Sequence, residues 1–306
     1  GRPILELTDR LPEEIFWLEK GVTSFGESFV NTTITPLDLS TVMAEAVFEP
    51  YETVICTSAT LAVNHSFNFW SGRVGLSVKD DDRVDFLQLQ SPFPYATQVL
   101  TGLPDDAPDP TAPGYQEYVQ EGVKEILQIS EGHGLVLFTS YSMLRETYSH
   151  VRPVLEARGI ACMKQGDDDR GRLLEKFNSD VDSVLFATES FWQGVDAPGQ
   201  ALQVVIICRL PFSVPTEPVT RARAEYIKQR GGNPFFELSL PEAVTKLKQG
   251  FGRLMRKQDD SGCVIILDPR ILRKSYGRIF MESLPKTLLS VKPIKQVLKD
   301  IESFLY

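Results

Sequence analysis

Leu135-Val-Leu-Phe-Thr-Ser140-Tyr-Ser-Met-Leu-Arg145-Glu-Thr-Tyr-Ser-His150-Val-Arg-Pro-Val-Leu155-Glu-Ala-Arg-Gly159-Ile-Ala-Cys-Met163 reads as strand, helix, strand. Leu135–Phe138 is a short uncharged run of the kind that fills a strand covered on both faces. Leu144, Tyr148, Val151 and Leu155 recur at helical spacing and share one face. Gly159 stops that helix, and Ile160–Met163 is apolar again. The same alternation continues downstream. Leu173, Leu174 and Phe177 mark a helix, Val184–Ala187 and Val204–Cys208 are strands, and a helix over Pro241–Lys257 precedes the strand Cys263–Leu267. Ile271–Leu284 and Lys292–Leu305 read as closing helices, and a helix over Tyr115–Ile129 leads in. Strands separated by amphipathic helices predict an α/β fold, a mostly parallel sheet with helices on both faces.

The first hundred residues differ. Thr53–Thr57, Phe86–Leu89 and Val99–Leu103 are strand candidates, whereas 1–50 and 104–114 read as Pro-, Asp- and Thr-rich connections. This part is expected to be the remnant of a neighbouring domain plus a linker.

A chain of 306 residues with 42% hydrophobic and 24% charged residues has the balance of a folded soluble domain or two. It contains no apolar run of the roughly 18 residues needed for a membrane-spanning helix, so no membrane partner is expected. The chain starts Gly1-Arg-Pro-Ile, without Met or a signal-like apolar core, which suggests a piece of a longer protein. Cys56, Cys162, Cys208 and Cys263 form no CxxC pair and are expected to be buried, reduced thiols of a cytoplasmic protein. Net charge is −9, but Glu242 to Arg278 holds nine Lys/Arg against four Asp/Glu. Acidic runs at Asp80–Asp82, Asp105–Asp109 and Asp167–Asp169 read as solvated loops, not metal sites.

Four small constellations are expected at the C-terminal ends of predicted strands, where open parallel sheets place their ligands. Thr57-Ser58-Ala59-Thr60 offers three hydroxyls beside a small residue, and alone would be a bare turn. Thr139 and Ser140 end one strand and open a helix, where a hydroxyl can cap the helix or hold an anion. Thr188-Glu-Ser-Phe-Trp192-Gln-Gly194-Val-Asp196-Ala-Pro-Gly199 places a carboxylate between glycines. Trp192 there suits either a core or a nucleotide base. The fourth is Gln249-Gly-Phe-Gly-Arg253-Leu-Met-Arg256. Read as helix, Gln249, Arg253 and Arg256 share one stripe, opposite Leu247, Phe251 and Leu254, and hold two guanidiniums at a fixed separation suited to a phosphoryl group. Gly250 and Gly252 each cost about 1 kcal/mol in a helix interior, which points to something approaching that backbone closely.

In order, Thr-Ser-Ala-Thr-Leu61, Leu-Phe-Thr-Ser140, Ser190 to Gly199 and Gln249 to Arg256 resemble motifs III, IV, V and VI of the XPD/DinG-like superfamily-two DNA helicases. Pro36-Leu-Asp-Leu-Ser40, Arg209-Leu-Pro-Phe212 and Ile266-Leu-Asp-Pro-Arg270 resemble that group as well. Gln193 departs from the Glu often found there, so no role is given to it.

The resemblance implies a motor of two RecA-like domains that binds ATP between them and single-stranded DNA across their tops. Residues 1–84 would close the first motor domain and carry motif III, and 85–306 would be the second. Arg253 and Arg256 would reach the γ-phosphate of ATP, with Gln249 positioning them, and Gly194 and Asp196 would lie near the nucleotide. Thr139, Ser140 and Ser190 would meet DNA phosphates, with Trp192 close to that track. Ser58 and Thr60 would couple hydrolysis to movement, which in this group runs 5′ to 3′.

No GxxxxGK[ST] motif, DEAH-like pair or four-cysteine iron–sulfur pattern occurs in the chain. ATP and Mg²⁺ are therefore expected to be held mainly by an N-terminal RecA-like domain of the same protein. No metal or iron–sulfur cluster is expected in this chain. The rival readings are a translocase serving a fused nuclease, an RNA-remodelling motor and a non-catalytic RecA-like scaffold. A stand-alone small-molecule enzyme is disfavoured, because no nucleophile–base pair accompanies the three histidines.

Overall fold

The computed structural model describes residues 14–23, 26–76, 83–180, 182–188, 191–192, 202–214 and 217–306. In chain order the elements begin with β1 (Glu14–Val22), β2 (Ser28–Pro36), α1 (Ser40–Met43), α2 (Asn68–Arg73), α3 (Tyr95–Gln98) and β3 (Val99–Pro104). Next come α4 (Tyr115–Ile129), β4 (Gly134–Leu137), α5 (Tyr141–Glu156), β5 (Ala161–Lys164), α6 (Arg170–Ser179), β6 (Ser183–Ala187) and β7 (Val204–Ile207). The chain continues through α7 (Pro218–Gln229), α8 (Leu240–Phe251), β8 (Gly262–Ile266), α9 (Arg270–Arg273), α10 (Gly277–Ser283), β9 (Leu288–Lys292) and α11 (Ile294–Leu305). Two compact units result: Gly1–Gln88 with Ser213–Glu242, and Leu89–Phe212 with Ala243–Tyr306.

The larger unit is built on a seven-stranded sheet in the order β5-β6-β4-β7-β8-β3-β9. Every pairing in it is parallel. Because side chains alternate along a strand, the inner strands feed two cores. Val136 and Phe138 join Val123 of α4, Leu144 and Val151 of α5 and Val297 of α11 in one cluster. On the other face Leu137 lies under α8, where a Cβ on Gly250 would stand 3.1 Å from its Cδ1. Helices thus cover both faces, as the sequence pattern predicts.

Several expectations change. Val99–Leu103 is no remnant of a neighbour: β3 pairs with β8 and β9 inside the main sheet. Thr53–Thr57 and Phe86–Leu89 are not strands. Ile55 is 82% and Leu87 77% exposed, and a strand needs a ladder partner that neither segment has among the described residues. Residues 14–36, read as connections, form the antiparallel hairpin β1–β2, with Glu14 opposite Pro36 and Val22 opposite Ser28. The helix expected over Ile271–Leu284 is divided into α9 and α10 by the extended backbone of Lys274 (φ −100°, ψ 144°), and Gly277 packs against the Ile271 carbonyl too closely for a Cβ. The division into units falls at Gln88, and Ser213–Glu242 groups with the smaller unit.

Candidate nucleotide and nucleic-acid site

The strand-end constellation takes shape from one cap and one amide. Ser140 is the N-cap of α5, with extended backbone (φ −143°, ψ 146°), and its Oγ accepts from the Met143 N–H at 3.3 Å. Thr139 and Ser140 are half-buried. Beyond β5, the Gln165 carboxamide oxygen accepts from both the backbone N–H and the hydroxyl of Thr188, each at 2.8 Å. The Tyr141 hydroxyl donates to the Gln165 carbonyl at 2.5 Å. The ends of β4, β5 and β6 are therefore tied to one another, through a residue to which the sequence reading gave no role. Only its position after a strand could have signalled it. Ser190, Gln193, Gly194 and Asp196 lie outside the described residues.

The arginine constellation differs from the helix expected over Pro241–Lys257. α8 ends at Phe251. Gly252 N–H still bonds the Lys248 carbonyl (2.9 Å), but Arg253 N–H turns to Gly250 (3.2 Å) and Leu254 N–H to Phe251 (3.4 Å), closing a tighter turn. Asp260, only 7% exposed, then accepts from the N–H groups of Arg256 and Lys257, both at 2.7 Å. Those are the amides that would have carried the helix onward. Two glycines weaken the helix, and a buried carboxylate captures its next donors.

Arg253 and Arg256 consequently stand on a turn, not on a helical stripe with Gln249. Gln249 still braces Arg253, through its backbone carbonyl, which accepts from Arg253 Nε at 2.9 Å. Leu254 and Met255 remain buried, so the turn keeps the apolar anchorage that the pattern promised. Nor does this turn stand at the C-terminal ends of the strands. It runs directly into β8, and Leu254 packs against Gly262, the first residue of that strand. Arg256 neighbours Tyr95, which precedes β3: burial raises the Tyr95 pKa, and the Arg256 charge opposes that rise.

The close approach implied by Gly250 is that of Trp192. A Cβ at 250 would stand 2.9 Å from the indole Cε3. Trp192 is 1% exposed, so it is a core residue and not a contact for DNA or a base. It follows β6 yet supports the end of α8, joining the strand-end constellation to the arginine turn by packing.

A further lock was missed as such. Asp268, fully buried, accepts from Leu210 N–H (2.9 Å), Arg270 N–H (3.0 Å) and the Arg270 guanidinium (Nη2 at 2.6 Å). It fastens the chain leaving β8 to the chain leaving β7. Arg270 lies over the Phe212 ring at 5.5 Å and Arg209 over Tyr115 at 5.1 Å. The Tyr115 hydroxyl donates to the Cys208 carbonyl at 2.5 Å, and burial raises its pKa so that it stays a neutral donor. A buried Asp-Pro-Arg directly after an apolar strand was the available signal.

With this geometry in view, residues 123–287, more than half of the chain, match the family described as helicase C-terminal domain. The chain belongs to that family. The chain is 36% identical over 283 residues to the 3'-5' exonuclease DinG of Bacillus subtilis, covering 91% of this chain and 30% of that protein. It is 36% identical over 252 residues to the ATP-dependent DNA helicase YoaA of Escherichia coli (82% and 38%). To the ATP-dependent DNA helicase DinG of Photobacterium profundum it is 35% identical over 287 residues (92% and 40%). It thus spans well under half the length of these curated relatives. Among solved structures, an XPD helicase superposes with a TM-score of 0.61 at 14% identity, over 87% of this chain and 47% of that one. The Xpd4 of S. tokodaii does so at 0.56 and 16% identity, over 87% and 49%. The helicase domain therefore has the RecA-like fold expected from its sequence.

In the smaller unit of the chain, Ser58 and Thr60 form a local turn. Their hydroxyls lie 3.1 Å apart, and Thr60 N–H donates to Ser58 Oγ at 3.2 Å. Cys56 is exposed, contrary to the expectation of burial, whereas Cys208 and Cys263 are buried and Cys162 is partly so. Burial raises the Cys263 and Cys162 thiols to about 12. Among the described residues no cluster of His, Cys, Asp or Glu could hold a metal, and no helix is long and apolar enough to cross a membrane.

Proposed function

We propose that this chain is the second RecA-like motor domain of an ATP-dependent DNA helicase of the DinG/XPD type, with residues 1–84 closing the first. The observation that carries the reading is the braced arginine turn: Gln249, Asp260 and Trp192 fix a segment bearing two guanidiniums. In this reading Arg253 and Arg256 neutralise charge developing on the γ-phosphate of ATP. The phosphate cradle and the Mg²⁺ ligands belong to the N-terminal RecA-like domain. Gly194 and Asp196 approach the nucleotide, and Ser58 and Thr60 couple its state to movement, 5′ to 3′. Thr139, Ser140 and Ser190 meet the phosphates of single-stranded DNA. A preorganised arginine stabilises charge without holding the nucleotide, an effect of about 10³- to 10⁵-fold in rate.

The test is a comparison of two proteins. This 306-residue chain alone should show negligible ATP turnover and weak single-strand binding that falls steeply with salt. The protein carrying both motor domains should hydrolyse ATP in response to single-stranded DNA and unwind duplex DNA. Robust turnover by the chain alone would overturn the reading. A second reading, a motor serving a fused nuclease, is favoured by the name of the Bacillus subtilis relative, a 3'-5' exonuclease. Translocation without strand separation in the two-domain protein would select it.

A further inference from the structure

Among the described Phe, Tyr and Trp residues of the larger unit, two side chains are exposed, Tyr141 and Tyr306. Tyr306 lies at the other end of the sheet, its hydroxyl on the Ile129 carbonyl at the close of α4, ahead of β4. Tyr141 stands at the strand-end constellation, next in the chain to Thr139 and Ser140, with 41% of its surface open.

Its ring is held on two sides. The hydroxyl donates to the Gln165 carbonyl, and the neighbouring Gly166, at φ +99°, leaves room for it: a Cβ there would collide with the phenol oxygen. Gln165 is itself fixed, by its N–H to the Phe186 carbonyl at 2.9 Å and by its carboxamide to Thr188. The Arg145 guanidinium lies 5.7 Å from the ring centroid and brings positive charge to the same patch. The carboxylates of the adjoining loop are engaged elsewhere, Asp167 with Lys164 and Asp168 with Lys176. An aromatic ring that keeps an open face, has little freedom to lose and sits beside a cation is what a nucleobase stacks on, whatever its identity.

We propose that Tyr141 is a nucleobase-stacking residue, taking one base of the single strand whose phosphates meet Thr139 and Ser140. The inference rests on the DNA reading above. It adds a contact to the base, where that reading has contacts to phosphates alone.

The experiment measures binding by the full-length protein of two strands of equal length, one of thymidines and one of abasic sites, which carry the same phosphates. Tyr141→Leu should weaken binding of the thymidine strand by about tenfold and leave the abasic strand unaffected. Tyr141→Phe, which keeps the ring and loses the hydroxyl, should restore most of the thymidine affinity. Equal loss on both strands, or loss on neither, would overturn the proposal. An unfolding midpoint for each variant separates a lost contact from a lost fold. Thr139→Ala combined with Ser140→Ala should weaken both strands alike. If it weakens neither, the phosphate reading fails and the stacking proposal falls with it.

Discussion

Thr139 and Ser140 stand on a helix start that caps itself, whereas Arg253 and Arg256 stand on a turn whose supports are borrowed. Ser140 needs only its own hydroxyl and the Met143 amide three residues on. The arginine turn relies on the Gln249 carbonyl, the Asp260 carboxylate and the Trp192 indole, the last more than fifty residues away in the chain. Self-contained geometry is tolerant and cheap to encode. Geometry assembled from distant parts is rigid only while every part is present, and it can be switched when one of them moves.

Four substitutions probe this difference, from the largest expected effect to the smallest. Asp268, fully buried, joins distant parts in the same way, fastening the chain leaving β8 to the chain leaving β7, so Asp268→Ala, which strands Arg270 and the Leu210 amide, should cost about 3–5 kcal/mol in urea unfolding. A loss below about 1 kcal/mol, the scale of an exposed pair, would mean that β7 and β8 do not depend on it. Next, two helical glycines should respond with opposite signs. Gly250→Ala gains helix propensity but drives a methyl to 2.9 Å from Trp192, and overpacking of about 1–3 kcal/mol should leave it net destabilised. At Gly122 of α4 the nearest atom to an added methyl is 3.7 Å away, so Gly122→Ala should stabilise by up to about 1 kcal/mol. Matching signs in thermal melts would show that Trp192 does not pack tightly against Gly250. The self-capped region should lose least: Ser140→Ala removes one N-cap, about 1 kcal/mol, readable as faster amide exchange in the first turn of α5.

The same contrast governs how much could be read from residues alone. α4 over Tyr115–Ile129, the β4–α5–β5 unit and the strands β6, β7 and β8 follow from periodicity, because each buries one or both faces and carries local stop signals. The hairpin β1–β2 was missed because its faces are only partly covered, which leaves no alternation of apolar and polar residues. β9 escaped for a related reason: four of its five residues are exposed at the edge of the sheet. At the candidate site, the residue types in motifs IV and VI were legible and the shape of motif VI was not. Leu247, Phe251 and Leu254 keep helical spacing although the helix stops, since a turn can bury the same side chains. What ends it, Asp260, looked like one more charge in a basic segment, and its capture of two amides is a tertiary fact.

The central claim is that the braced turn finishes an ATP site begun by another domain. It is tested most directly by single-turnover hydrolysis and nucleotide affinity of Arg253→Ala and Arg256→Ala in the protein carrying both motor domains. Hydrolysis should fall by about 10³- to 10⁵-fold, with ATP affinity largely retained. Wild-type turnover in either variant would contradict the assignment.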